Sequence, residues 1–200
     1  NEKLALLAPL GLAEAQAETH QFSELPDVEA LREGITGPLH PRLAAHNAAI
    51  AHVARDGRRA PIGMCIGPFS LTTKLLADPI TPVFLAGSGA DAREEPEVAL
   101  LEAALDLALR MVIRSVRAQV EAGAVAVMIA EPAANIAYFS PRQLEESDAA
   151  WRRYAMEPNH RVAGAIRSAG AELIFHCCGE LVPRMVLDFA SLSPAMLSLG

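Results

Sequence analysis

Aromatic side chains are scarce in this 200-residue chain, where six Phe, two Tyr and one Trp make up only 4% of the residues. A β-sandwich cored by aromatics is therefore disfavoured. Cysteine is rarer still, with only Cys65, Cys177 and Cys178, two of them adjacent. An odd, sparse count cannot staple a fold, and this usage reads as intracellular, here cytoplasmic. No basic run exceeds Arg58-Arg59 or Arg152-Arg153, and 17 basic against 24 acidic residues leave a net charge of −7. The electrostatic footprint of a nucleic-acid binder is missing. No apolar stretch approaches the ~20 uninterrupted residues of a membrane span. Glycine-rich phosphate loops, nucleophile elbows and dinucleotide fingerprints are absent as well.

What the chain has in quantity is alanine, 38 residues of it. With 52% hydrophobic and 20% charged residues, it can bury a sizeable core and is not disordered. Alanine favours helix, so the expectation is a helix-rich, closely packed fold in a single domain. Near the start, Lys3, the apolar run Leu4 to Ala13 and Ala15-Gln16-Ala17 imitate a signal peptide. Glu2 and Glu14 oppose that pattern, and the run reads instead as an Ala/Leu helix. Residues 1 to 40 show no further pattern. The chain starts at Asn1 and stops on a strand-like segment at Leu199-Gly200, so it is expected to be a piece of something longer.

Periodicity is clearer further on. Pro41 to Arg55 reads as helix closed by Asp56-Gly57, and Ile62 to Ile66 as strand. Gly67-Pro68 then turns the chain into a helix near Ser70 to Ala77, and residues 78–93, broken by prolines and glycines, read as a loop excursion. Glu94 to Ala122 carries apolar residues at helical spacing, with Pro96 in the first turn and Gly123 as the stop. Ala124 to Ala130 is a short apolar run of the kind a covered parallel strand requires. Ser140-Pro141-Arg142-Gln143 has the spacing of a capping box and opens helical sequence that is interrupted near Pro158. Strand at Glu172 to Cys177, helix at Glu180 to Ala190 and strand at Ala195 to Leu199 follow. Alternating strands and helices imply βαβ units, whose active sites lie at the carboxyl ends of the strands. A weak internal repeat sets Gly123 on Gly170, and by that alignment Glu131 and Cys178 fall at the same offset on the functional rim.

Those strand ends hold the candidate chemistry. In Phe175-His176-Cys177-Cys178-Gly179 the strand alternation sends His176 and Cys178 one way and Cys177 the other. An imidazole and a thiolate about 7 Å apart along the strand can share one Zn²⁺, at roughly 2.0–2.3 Å from each donor atom. The alternative is two buried cysteines and a satisfied core histidine. Glu131 is a ligand, a proton donor or a substrate contact, or else a solvated rim carboxylate. Gly67-Pro68-Phe69-Ser70 lets backbone approach a ligand closely, or is only a tight connection into the next helix. His20, His40, His46, His52 and His160 show no metal spacing.

In order along the chain, Ile66-Gly-Pro-Phe-Ser-Leu71, Gln119 through Pro132 (QVEAGAVAVMIAEP), Phe139-Ser-Pro141 and Ile174-Phe-His-Cys-Cys-Gly179 resemble one family. It is the uroporphyrinogen decarboxylase superfamily, which also holds zinc- and corrinoid-linked methyltransferases. The resemblance runs from about residue 60 to 200 and implies a (β/α)8 TIM barrel, of which this chain is an incomplete part. His-x-Cys at this strand resembles the coenzyme M methyltransferases rather than the decarboxylases. On that branch His176 and Cys178 match two zinc ligands, and a third, a late cysteine, is expected beyond Gly200. Glu131 would serve as a ligand-shell or acid-base group, while Gly67, Pro68 and Phe69 with Asn135 and Tyr138 would line the pocket. The methyl donor would be a corrinoid on a partner protein and the acceptor a small thiol or a folate. The decarboxylase branch implies instead an acidic tetrapyrrole substrate, no cofactor and a cradle of arginines, for which Arg142 and Arg184 are the nearest candidates. A barrel that kept its scaffold and lost its chemistry, serving only as a binding domain, is the non-enzymatic alternative.

Overall fold

Four parallel strands, β1 (Ile62–Ile66), β2 (Ala126–Ala130), β3 (Glu172–Cys177) and β4 (Met196–Leu199), form one sheet in sequence order. The structure is a computed structural model and describes residues 1–200. Ahead of β1 lie α1 (Glu2–Leu7), α2 (Glu14–Thr19), α3 (Val28–Thr36) and α4 (Pro41–Asp56). Between β1 and β2 come α5 (Pro68–Leu75), α6 (Ile80–Gly87) and the long α7 (Pro96–Glu121). Between β2 and β3 come α8 (Pro141–Glu146), α9 (Ala149–Trp151), a π turn (Arg152–Met156) and α10 (Glu157–Ser168), and α11 (Pro183–Ser191) precedes β4.

The register decides the architecture. Met64, Met128, Ile174 and Met196 pair across all four strands, and Cys65, Ile129, Phe175 and Leu197 form the next row. Strand side chains alternate, so successive rows face opposite sides. Cys65, Ile129 and Phe175 of that row and their neighbours Val127 and Leu173 are buried under the helices, with Leu197 partly buried against them. On the other face Met64 and Met196 are both 58% exposed. A doubly wound sheet is covered on both faces. Sequential strand order with helices on one face is the construction of a (β/α)8 barrel, and the four strands are part of one.

The helices form where the residue pattern directs them. Along α7 the buried positions Leu101, Leu105, Ala108, Val112, Ser115, Val116 and Gln119 make one stripe that faces the sheet. Gly123, at φ 108°, turns the chain out of α7 into β2. The 78–93 excursion contains a helix that the prolines had obscured. Pro82 falls in the first turn of α6, where no intrahelical N–H is needed, and Asp78 Oδ1 caps it by accepting from the N–H groups of Ile80 and Thr81. The predicted capping box at Ser140 does not form. Gln143 instead donates to Phe84 O and Ser88 Oγ, tying α8 to the end of α6. Pro158 lies in the first turn of α10, and the interruption is the π turn before it. Only the first part of the Ala/Leu run is α-helical, packing as α1 with Leu4, Leu6 and Leu7 in the core, while Ala8–Leu10 forms a 3₁₀ turn closed by Gly11 at φ 67°. In α1, Glu2 Oε1, itself buried, accepts from Ser115 Oγ at 2.9 Å and binds α1 to α7.

Six of the nine aromatics gather in one place. Tyr138, Phe69, Phe139, Trp151, Phe189 and Phe175 form a continuous chain of ring contacts, with centroids 4.8–5.7 Å apart. The cluster lies behind the carboxyl ends of the strands and joins α5, α9 and α11 to β3. Offset and edge-on pairs add stabilisation beyond their area. Phe189→Ala is expected to cost about 3–5 kcal/mol in urea unfolding. Leu187→Ala on the same helix, where Leu187 is 71% exposed, is expected to change stability by less than about 0.5 kcal/mol.

Candidate functional site

At the carboxyl ends of the strands, Ile66, Ala130, His176 and Ser198 form one row on the open face. Ile66 and Ala130 are apolar, so His176 and Ser198 carry the polarity of that row. They meet across the β3–β4 pair, His176 Nδ1 lying 3.0 Å from Ser198 Oγ. One residue on, Cys177 is fully buried on the helical side and its thiol donates to Ala134 O at 3.6 Å. Burial pushes that thiol up to about 11. Cys178 follows the strand and is exposed. The end of β4 packs beside it, Gly200 N–H donating to Cys177 O at 3.1 Å. A Cβ at Gly200 would stand 3.0 Å from that of Cys178.

Glu131 follows β2 by one residue and therefore turns to the helical side. Its N–H continues the ladder by donating to His176 O at 2.8 Å. Its carboxylate is fully buried at the N-terminus of α5. Oε1 accepts from Ser70 N–H at 2.6 Å, and Oε2 accepts from Phe69 N–H at 3.2 Å and from Asn159 Nδ2 at 3.0 Å. The local sequence explains the arrangement. The helix opens at Gly67-Pro68, so its cap position has no side chain to offer, and the next strand supplies the oxygens instead. Gly67 must stay bare, because a Cβ there would lie 2.2 Å from Glu131 Oε2. Ser70 completes the clamp, its Oγ accepting from Ala133 N–H at 2.9 Å. Burial of a carboxylate costs several kcal/mol, and hydrogen bonds to a charged group return roughly 1.5–3 kcal/mol each. Burial prevails here and holds the Glu131 carboxyl above the usual carboxylate range, against the pull of the Ser70, Asn159 and Phe69 donors.

The expected site residues thus divide into two layers. His176 belongs to the open side of the strand ends, and Cys178 is exposed just beyond it. Glu131, Gly67, Pro68 and Phe69 are buried behind it, Phe69 within the aromatic chain. Asn135 is occupied by its own loop, its Nδ2 donating to Pro132 O and its Oδ1 accepting from Ala137 N–H at 2.7 Å. A Cβ at Gly179 would stand 2.4 Å from Asn135 Cβ, and Ile136 N–H donates to Glu180 O at 3.1 Å, so the loops after β2 and β3 are laced together. Tyr138 is half-buried against Phe69. The repeat alignment is corrected by one residue, since Ala130 pairs with His176 and Glu131 is level with Cys177, not Cys178. A one-residue slip exchanges the faces. Asn159 was not anticipated from the sequence. It reaches Glu131 from the first turn of α10, directly after the π turn, and its Oδ1 has no hydrogen-bond partner.

A metal can be weighed against these donors. A catalytic zinc takes three protein ligands and leaves one position open. His176 and Cys178 are of the right chemistry, and Cys178 is exposed directly after the strand that carries His176, but the chain holds no group of three or more His, Cys, Asp or Glu side chains able to bind a metal. The pair fits as two donors of three. Surface depressions lie away from these residues, among them one of about 530 Å³ over Ile113 and Arg117 and one of about 380 Å³ beside Pro9 and His40. No helix is long and apolar enough to cross a membrane.

Sequential parallel strands, a one-sided helical layer and polar residues at the carboxyl ends define a barrel of the enzyme-bearing (β/α)8 class. Residues 15–200 match the model of the uroporphyrinogen decarboxylase (URO-D) family, and the chain belongs to that family. A methyltransferase from Methanosarcina mazei has a similar structure, with a TM-score of 0.64 at 19% sequence identity. The match covers 97% of this chain and 54% of the methyltransferase chain, so the chain spans about half the length of that structure. No curated protein matches this chain.

The buried carboxylate generates a pH signature. Because the folded protein holds the Glu131 proton more tightly than the unfolded chain, the folded state binds more protons between the two pKa values. Its contribution is full below the ordinary carboxylate range and is lost as pH rises through the raised value. Glu131→Gln places an amide NH₂ against a backbone N–H and is expected to cost about 1–3 kcal/mol. In urea unfolding across a pH series, the deficit of this variant should shrink as pH rises. A deficit that grows with pH contradicts the account.

Proposed function

We propose that this chain carries part of the active site of a zinc-dependent methyltransferase of the uroporphyrinogen decarboxylase superfamily. The observation that carries the reading is the placement of His176 and Cys178 at the open carboxyl end of β3, with Cys177 turned into the core. Zinc, when bound there, supplies the positive charge that lowers the pKa of a coordinated thiol. In this reading His176 and Cys178 are two of its ligands, and the third comes from outside this chain. The methyl donor is a corrinoid carried on a partner protein, and the acceptor a small thiol or a folate.

Glu131 then acts as a positioning group and not as an acid or base, since it is fully buried and bonded to three donors. By joining the end of β2 to the start of α5 it holds the two loops next to β3 in place. Gly67 and Phe69 contribute as parts of that support, and Asn135 and Tyr138 shape the loop after β2.

A decarboxylase acting on an acidic tetrapyrrole is less well served by this rim. Its arginine candidates are engaged elsewhere, Arg142 with Glu146 at 3.1 Å and Arg184 with Asp148 and Asp188. The open row itself contributes no arginine or lysine. The full-length protein, purified without chelators, is expected to contain zinc and to transfer methyl groups from methylcobalamin to a thiol or a folate. His176→Ala should abolish metal binding, whereas Cys177→Ala should leave it nearly intact. Equal loss from both substitutions, or decarboxylation of uroporphyrinogen independent of metal, overturns the reading.

A further inference from the structure

The contact between His176 and Ser198 joins two residues that are paired in register on adjacent strands. Both are half-buried, and the β-ladder fixes both backbones, so the 3.0 Å separation of Nδ1 from Oγ is not an accident of a loop. A neutral imidazole carries its proton on one nitrogen only, and the bond made by one nitrogen sets the state of the other. In the Nε2–H tautomer the Ser198 hydroxyl would donate to Nδ1, and the proton on Nε2 would find no acceptor among the side chains of its own row, because Ile66 and Ala130 are apolar. A proton on Nδ1 is received by the Ser198 hydroxyl and leaves the Nε2 electron pair free.

We propose that Ser198 is a positioning residue that holds His176 in the Nδ1–H tautomer and so reserves Nε2 as the ring's donor atom. The hydroxyl acts only through the histidine. The consequence for metal affinity rests on the zinc reading above, while the tautomer does not. Partners of this kind, which orient a metal-binding histidine through its second nitrogen, typically change metal affinity when removed.

The test separates the two. With ¹⁵N-labelled protein, free of metal and above the titration range of imidazole, the two ring nitrogens of His176 are distinguished by their shifts and couplings. Wild type and Ser198→Thr, which keeps the hydroxyl, should show the Nδ1–H tautomer. Ser198→Ala should move the ring toward Nε2–H, while the backbone amide shifts of β3 report an unchanged sheet. Zinc affinity, measured by competition with a chromophoric chelator, should fall on the order of 10- to 100-fold in Ser198→Ala and recover in Ser198→Thr. An Nε2–H tautomer in the wild type, or a tautomer indifferent to Ser198→Ala, overturns the proposal. A moved tautomer with unchanged zinc affinity overturns its consequence for the metal. Wild type that shows the Nδ1–H tautomer but binds no zinc supports the role of Ser198 and sinks the zinc reading instead.

Discussion

One buried carboxylate sets the geometry on which the strand ends depend. Glu131 stands where β2 stops, and it accepts hydrogen bonds from the first free backbone donors of α5 and from Asn159 on α10. Anions are favoured at helix N-termini by the unpaired N–H groups and the helix dipole. The same residue's backbone bonds to His176 O, so the clamp also holds the register between β2 and β3. Because strand side chains alternate with period two, that register decides which residues face the open side. His176 falls on it, and Cys177 and Glu131 do not. The chemistry available at the rim is therefore a consequence of how the clamp is seated.

Gly67 shows the clamp operating through an absence. A side chain at that position would cap α5 in the ordinary way, but it would also occupy the space held by Glu131 Oε2. Gly67-Pro68-Phe69-Ser70 and Glu131 are thus one device separated by more than sixty residues in sequence. Phe69 extends it into the aromatic chain that reaches β3 through Trp151 and Phe189. Few aromatics suffice because six of them share one cluster. The open face needs none of this packing, and its exposed Met64 and Met196 lie where a barrel's remaining strands enclose the interior.

Local pattern made much of this legible before the structure. β1 and β3 begin and end at the residues expected from their sequence, because each is flanked by turn residues and covered by helices on one face. The facing of Cys177 against its neighbours followed from alternation alone. Other features depend on partners distant in the chain. The role of Glu131 was hidden because its donors, on α5 and α10, come from two other helices. Gln143 carried the spacing of a capping residue and is used instead to hold α6, a tertiary bond that outcompetes the local one. The repeat alignment through Gly123 and Gly170 missed the true register by one residue, since β2 and β3 start at different offsets from their glycines. Residues 1 to 40 were opaque for a related reason. Their helices are short and gain order from docking, as in the burial of Glu2 against Ser115.

The facing of the β3 terminus is the claim from which the rest follows, and the three cysteines report on it directly. Cys178 is exposed, while Cys65 is 2% and Cys177 0% exposed. Labelling of the native, metal-free protein with a thiol reagent, followed by peptide mapping, reads each site separately. The account predicts rapid modification at Cys178 alone, with Cys65 and Cys177 reacting only on unfolding. Rapid modification of Cys177, or protection of Cys178, would place the strand in the opposite register and contradict it.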